Sequence, residues 1–213
     1  MLEPKERWQK EDSGGKYAGA RWRSMRRRGN DPRLVRGILA RHLPPRTPAA
    51  VLDVPCGTAR LRPAIEGGGC TWFGLDVSAS MLTSAAAEGR PLLRGDVEAL
   101  PFPDDAFDAV VCCRLLHHLA DPAVFARTVG ELVRVSRHLV VASFWDAGSL
   151  PARHRARFPK RGRRVGRVPH AKSHVREVFA RHGAQVLGFR HTLRFFSRQT
   201  FVVARKHTEV TRG

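Results

Sequence analysis

Acidic residues are scarce in this chain of 213 residues: 19 Asp and Glu stand against 38 Lys and Arg, a formal net charge of +19. The imbalance points to an anionic partner or substrate: RNA, a phosphorylated small molecule or a membrane surface. A codon preference for Arg over Lys explains which base is used, but not why bases outnumber acids. Cysteine is also sparse. Cys56, Cys70, Cys112 and Cys113 have no framework spacing, and the adjacent pair forms no unstrained disulfide, which excludes a disulfide-stapled secreted domain. No apolar run is long enough for a bilayer; the longest, Leu139–Trp145, falls far short of a membrane span. The opening MLEPKERWQK is charged and has no apolar core, unlike a secretory signal. A cytoplasmic protein is the expectation. Internal repeats are missing, as are metal-ligand spacing among His and Cys and any G-x-G-x-x-G run to cradle a pyrophosphate. No metal is expected.

What remains is an alternation. Short apolar runs, AAVLDV, TWFGLD, PLLRGD, FDAVVCC and RHLVVASFW, are separated by helical stretches at Ser80–Glu88 and Pro122–Val135. Strands alternating with helices predict an α/β fold with a parallel sheet covered on both faces, and continuous rather than alternating apolarity agrees. A helix is predicted from Asp31 as N-cap, with Pro32 in its first turn, ending before Pro44. A basic N-terminal segment, 1–30, precedes the main domain, 31–213. Within that domain, residues 146–172 form a Pro/Gly/Arg-rich insertion with no acid between Asp146 and Glu177. A short helix at Ser173–Arg181 and two strands, AQVLGFRHTL and RQTFVVARK, close the chain as an antiparallel hairpin at the sheet edge.

Three of the strands carry an acid at or near their C-terminal ends, the side on which open parallel sheets bind ligands. Asp53 sits in an otherwise apolar strand, where an unpaired carboxylate is costly and a cationic amino group is a fitting partner. Gly57 permits close backbone approach, and Thr58 and Ala59 keep the turn small. Asp76 falls where an acid pairs with ribose hydroxyls, a contact worth about 1.5–3 kcal/mol, or else caps the helix begun near Ser78. Asp96 is placed to accept from an adenine amino group while Val97 offers its N–H to the ring. Amine, ribose and adenine, without phosphate, fit S-adenosylmethionine and fit NAD poorly.

In order and spacing, VLDVPCGTAR, GLDVSASML, GDVEALPFPDDAFDAVVCCRLLHHL and RHLVVASFW resemble the class I S-adenosylmethionine-dependent methyltransferases of the UbiE-like, type 11 group over about Val51–Phe144. The resemblance implies a Rossmann-like, seven-stranded, mostly parallel sheet with an antiparallel C-terminal hairpin. It implies that Asp53, Pro55, Cys56, Gly57 and Thr58 flank the methionine end of the cofactor. Asp76 would hold the ribose, Val77 and Met81 would lie against the adenine, and Asp96 and Val97 would read its edge. Cys113 and Arg114 would line the methyl-transfer face, with His117 and His118 just beyond. The sequence departs from the family's turn at Pro55 and Ala59, where glycines are usual, and lacks the Lys-Pro-Gly-Gly turn before strand five.

A histidine beside the transferred methyl would serve as general base, or else pack structurally; orientation alone supplies about 7–11 kcal/mol. The expected acceptor is a small, anionic molecule, with O, N or C as the methylated atom. The alternatives are an RNA methyltransferase that grips phosphates with its basic flanks, and a non-catalytic Rossmann-like binding module. The basic segments Ala152–Lys172 and Arg21–Gly29 are read as two sides of a substrate entrance, with Trp22 stacking on a ring. Signatures of amino-methylating DNA enzymes and of cytosine carbon-5 enzymes are absent after strand four.

Overall fold

The computed structural model describes residues 30–43, 48–85, 91–158, 167–191 and 199–207. The expectations for 1–29, including Arg21–Gly29 and Trp22, and for 159–166 of the insertion lie outside those residues. In chain order the elements are α1 (Asp31–His42), β1 (Ala49–Asp53), α2 (Arg62–Glu66), β2 (Cys70–Asp76), α3 (Ala79–Ala85), β3 (Leu92–Arg94) and β4 (Phe107–Cys112). A 3-10 turn (Leu116–His118) leads to α4 (Pro122–Arg134), β5 (Ser136–Trp145), α5 (Leu150–Arg157), α6 (Lys172–Arg181), β6 (Ala184–His191) and β7 (Gln199–Lys206).

The strands form one seven-stranded sheet in the order β3-β2-β1-β4-β5-β7-β6. β1 to β5 pair in parallel, whereas β7 runs antiparallel to both β5 and β6. The closing hairpin therefore inserts its second strand beside β5 and leaves β6 on the outside. Helices cover both faces. Val35, Ile38 and Leu39 of α1 pack with Val51, Val111 and Val141 on one face, while Phe125, Val129 and Leu132 of α4 and Val175 and Phe179 of α6 pack on the other. Helix α4 starts where Asp121 accepts from the Ala123 N–H at 2.7 Å, with Pro122 in its first turn. Among the described residues no helix is long and apolar enough to cross a membrane.

One expectation is corrected. The N-cap of α1 is Asn30, and Asp31 sits inside the first turn with no capping bond. Its side chain is buried at 1% exposure and turns toward the sheet edge instead. Among the described residues of the insertion, α5 spans Leu150–Arg157 and His170 bridges back to Asp146.

On β2, Trp72 and Gly74 share a face, two residues apart. A Cβ on Gly74 would lie 2.4 Å from the Trp72 ring and 2.9 Å from Leu92 Cδ2. Gly74→Ala is therefore expected to cost about 1–3 kcal/mol by overpacking. Urea unfolding measures it; a variant midpoint equal to that of the native chain would contradict this packing.

Candidate active site

Strand order reverses between β1 and β4, and at such a switch point the loops leaving the two strands part and open a crevice. The turn after β1 is shaped by two left-handed residues, Gly57 at φ 56° and Ala59 at φ 54°. Glycine adopts that conformation freely, while alanine pays roughly 1–2 kcal/mol. The turn thus keeps its backbone shape with Ala59 in a glycine's place, at some strain.

The Asp76 carboxylate holds this turn. Oδ2 accepts from the Gly57 N–H at 2.8 Å and Oδ1 from the Ser78 N–H at 2.9 Å. Capping of α3 falls to Ser78, whose Oγ accepts from the Met81 N–H at 3.4 Å. Burial raises the Asp76 pKa, opposed by the hydrogen bonds from Ser78 and Gly57. Asp96 forms the equivalent turn after β3, its Oδ1 accepting from the Glu98 N–H at 3.0 Å.

Asp53 is the costlier group. It is buried at 1% exposure; Trp72 Nε1 donates to its Oδ2 at 3.3 Å, and its Oδ1 has no hydrogen-bond partner. Burial pushes its pKa up to about 7, against the Trp72 hydrogen bond pulling it down. A buried, half-satisfied carboxyl is stable only if protonated or met by a cation.

The loop after β4 supplies the far wall. Arg114 has φ 68°, an uncommon conformation for a side-chain-bearing residue, and is pinned at both ends. Its N–H donates to Ser143 Oγ at 2.7 Å, and its guanidinium reaches Asp31 Oδ2 at 2.8 and 3.0 Å. Arg60, from the first turn, meets the same Asp31 oxygen at 3.1 Å and donates to Cys113 Sγ at 3.2 Å. One carboxylate on α1 thereby fastens two guanidiniums that line the crevice. Burial raises the Cys113 pKa to about 11 and lifts Cys56 further, so both stay thiols at neutral pH.

His117 stacks on Trp145 with ring centroids 4.6 Å apart and planes 3° apart, and touches His118 at 4.3 Å. Arg167 lies over the Trp145 ring at 5.5 Å. The His117 backbone carbonyl accepts from the Val168 N–H at 2.8 Å, which ties the end of the insertion to this wall. Burial first, then the neighbouring His118 and Arg167, push the His117 pKa down to about 2. It stays neutral, and so weak a base is poorly matched to proton abstraction near pH 7.

The crevice is one cavity of about 280 Å³. Its lining contains every residue singled out in the sequence: Asp53, Pro55, Cys56, Gly57, Thr58, Asp76, Val77, Met81, Asp96, Val97, Cys113, Arg114, His117 and His118. Sequence reasoning missed Arg60 and Trp145, which also line it, as does Arg167 from the basic segment read as one side of the substrate entrance. Trp145 carried a usable signal, since it ends the strand beside β4, whose own C-terminal end was read as part of the site.

Two stability predictions follow from the buried carboxyls. Asp53 titrates near 3.8 when unfolded and about 7 when folded, so folding takes up a proton between those values. The residue's contribution to stability therefore declines as pH rises from about 4 to 7 and is flat above. Asp53→Asn lacks that decline, so its melting temperature should gain on the native chain through this window; a pH-independent offset would contradict it. Asp31→Asn should cost about 2–3 kcal/mol, less than for a fully buried pair because Arg60 and Arg114 keep partial water contact. Denaturant unfolding tests this, and a loss below about 0.5 kcal/mol, the range of an ordinary surface change, would show that the clip carries no weight.

With this geometry in hand, comparison with known proteins is informative. The methyltransferase domain family matches residues 52–141. A demethylmenaquinone methyltransferase of Mycolicibacterium vanbaalenii is 35% identical over 94 residues, which is 44% of this chain and 41% of that protein. The chain thus spans about four tenths of the length of the curated relatives it matches. Among solved structures, magnesium protoporphyrin IX methyltransferase from Synechocystis, with bound S-adenosylmethionine, superposes with a TM-score of 0.70 at 18% identity, covering 97% of this chain and 99% of that one. The methyltransferase solved in complex with the Trm112 activator of Haloferax volcanii has a TM-score of 0.70 at 19% identity, covering 93% and 99%. Residues 52–141 thus match a methyltransferase domain, and the fold built around them is the one seen in the S-adenosylmethionine-bound methyltransferase above.

Proposed function

We propose that this chain transfers the methyl group of S-adenosylmethionine to a small, negatively charged acceptor. The observation that carries the reading is the convergence of Asp53, Asp76 and Asp96 on one cavity, with one Asp53 oxygen buried and unpartnered. An amino cation there would satisfy Asp53. Asp76, already aligned by Gly57 and Ser78, retains lone pairs for ribose hydroxyls, and Asp96 with Val97 offers an acceptor and a donor for an adenine edge. Bound there, the cofactor supplies an electrophilic methyl group on a sulfonium.

The chain's own residues orient and exclude. Cys113, kept neutral by burial, presents no competing thiolate nucleophile to that methyl. Arg114 and Arg167 also line the cavity, and two guanidiniums favour a carboxylate, phenolate or phosphate on the acceptor. His117, neutral and stacked on Trp145, serves as wall rather than base, and His118 is the histidine left for proton abstraction. Orientation of acceptor against the methyl is the larger contribution, about 7–11 kcal/mol in well-aligned systems.

Calorimetric titration with S-adenosylhomocysteine tests the cofactor reading. The native chain should bind, and Asp76→Ala should bind about tenfold to a hundredfold more weakly, the worth of hydrogen bonds to a charged group. Thermal melting checks that the variant is folded, with Asp76→Asn as the gentler substitution. Equal affinity in native chain and variants would overturn the assignment, as would no binding at all.

A further inference from the structure

Helix α5 is built inside out. Its inward residue is Ala152, whereas its largest apolar side chains, Leu150 at 56% and Phe158 (just past its last turn) at 58% exposure, face solvent. At 100° per residue, Leu150, Arg153, His154 and Arg157 fall on one side of the helix, all exposed, with Phe158 beside them. The His154 ring sits 5.0 Å from that of Phe158. Two arginines flank the apolar strip, and no acid lies between Asp146 and Glu177 in the chain. A helix that serves only its own core would bury its Leu and Phe and expose Ala.

The position of this strip matters as much as its composition. α5 follows β5 by four residues, so it stands at the carboxyl edge of the sheet where the cavity opens. Ser149 Oγ donates to the Asp146 carbonyl at 2.8 Å, and Lys172 Nζ meets Asp146 Oδ2 at 3.1 Å. The helix therefore departs from a fixed base just beyond Trp145, a wall of the cavity.

We infer that the outward face of α5 docks on an anionic lipid bilayer, with Leu150 and Phe158 entering the headgroup region and Arg153 and Arg157 pairing with lipid phosphates. Apolar side chains that reach the headgroup boundary add to the attraction of neighbouring basic side chains for anionic lipid. The charge would suit nucleic acid equally and an unpaired base would stack on Phe158, but RNA offers the aliphatic Leu150 no apolar phase to enter, whereas a bilayer takes both side chains. The cavity mouth would then open at the membrane surface. This inference stands apart from the cofactor assignment, since it concerns a face outside the three-carboxylate rim.

Vesicle co-sedimentation of the full chain tests it, using phosphatidylcholine vesicles with and without phosphatidylglycerol at 0.15 M salt. The native chain should partition to the anionic vesicles. Leu150→Ser with Phe158→Ser should lower the partition coefficient about tenfold or more, and Arg153→Gln with Arg157→Gln about 25-fold, at roughly fivefold per arginine. Circular dichroism and S-adenosylhomocysteine binding, which these surface changes should leave alone, separate loss of docking from loss of fold. Partition unaltered by the apolar pair would overturn the inference and leave only charge attraction. So would binding to bulk tRNA that tracks the arginines while vesicles capture nothing.

Discussion

A single buried carboxyl sets the terms for the rest of the site. Asp53 has to lie at the end of β1, because the next residues must turn away from the sheet to make room for a ligand. There it is enclosed by the central strands, with Trp72 satisfying one oxygen and nothing satisfying the other. In the folded chain this raises its pKa to about 7, which keeps it close to the balance between neutral and charged forms. A cation placed against it would tip that balance and be bound in return. The surrounding features serve this arrangement: Gly74 leaves room for the Trp72 ring, and Asp76 fixes the turn that bounds the crevice.

A different carboxylate ties together the loops around the cavity. Asp31, from a helix far upstream in sequence, gathers Arg60 and Arg114 from the two loops that flank the switch point. Arg60 and Arg114 thus share the cavity lining with Asp53, Asp76 and Asp96. Trp145, sandwiched between His117 and Arg167, joins that lining to the insertion.

Much of this was legible in the sequence, because the relevant signals are local. Asp53, Asp76 and Asp96 follow apolar runs at or near strand ends, and a parallel sheet brings such ends to one edge by topology alone. Asp31 shows where local reasoning stops. An acid before Pro at a helix start has the pattern of an N-cap, and only the fold discloses that its partner Arg114 lies 83 residues away. The two histidines after β4 were equally open to catalysis or packing in the sequence. What separates them is the stacking of His117 on Trp145 and the burial that keeps it neutral, neither of which has a local signature.

The most direct test of the central claim follows the proton on Asp53. S-adenosylhomocysteine is titrated calorimetrically at pH 6 in two buffers of different ionisation enthalpy, which yields the protons exchanged on binding. If the ligand's amino cation meets Asp53, binding should release up to about one proton at pH 6, fading toward pH 8 and absent in Asp53→Asn. The same proton count in the native chain and the variant would contradict the account.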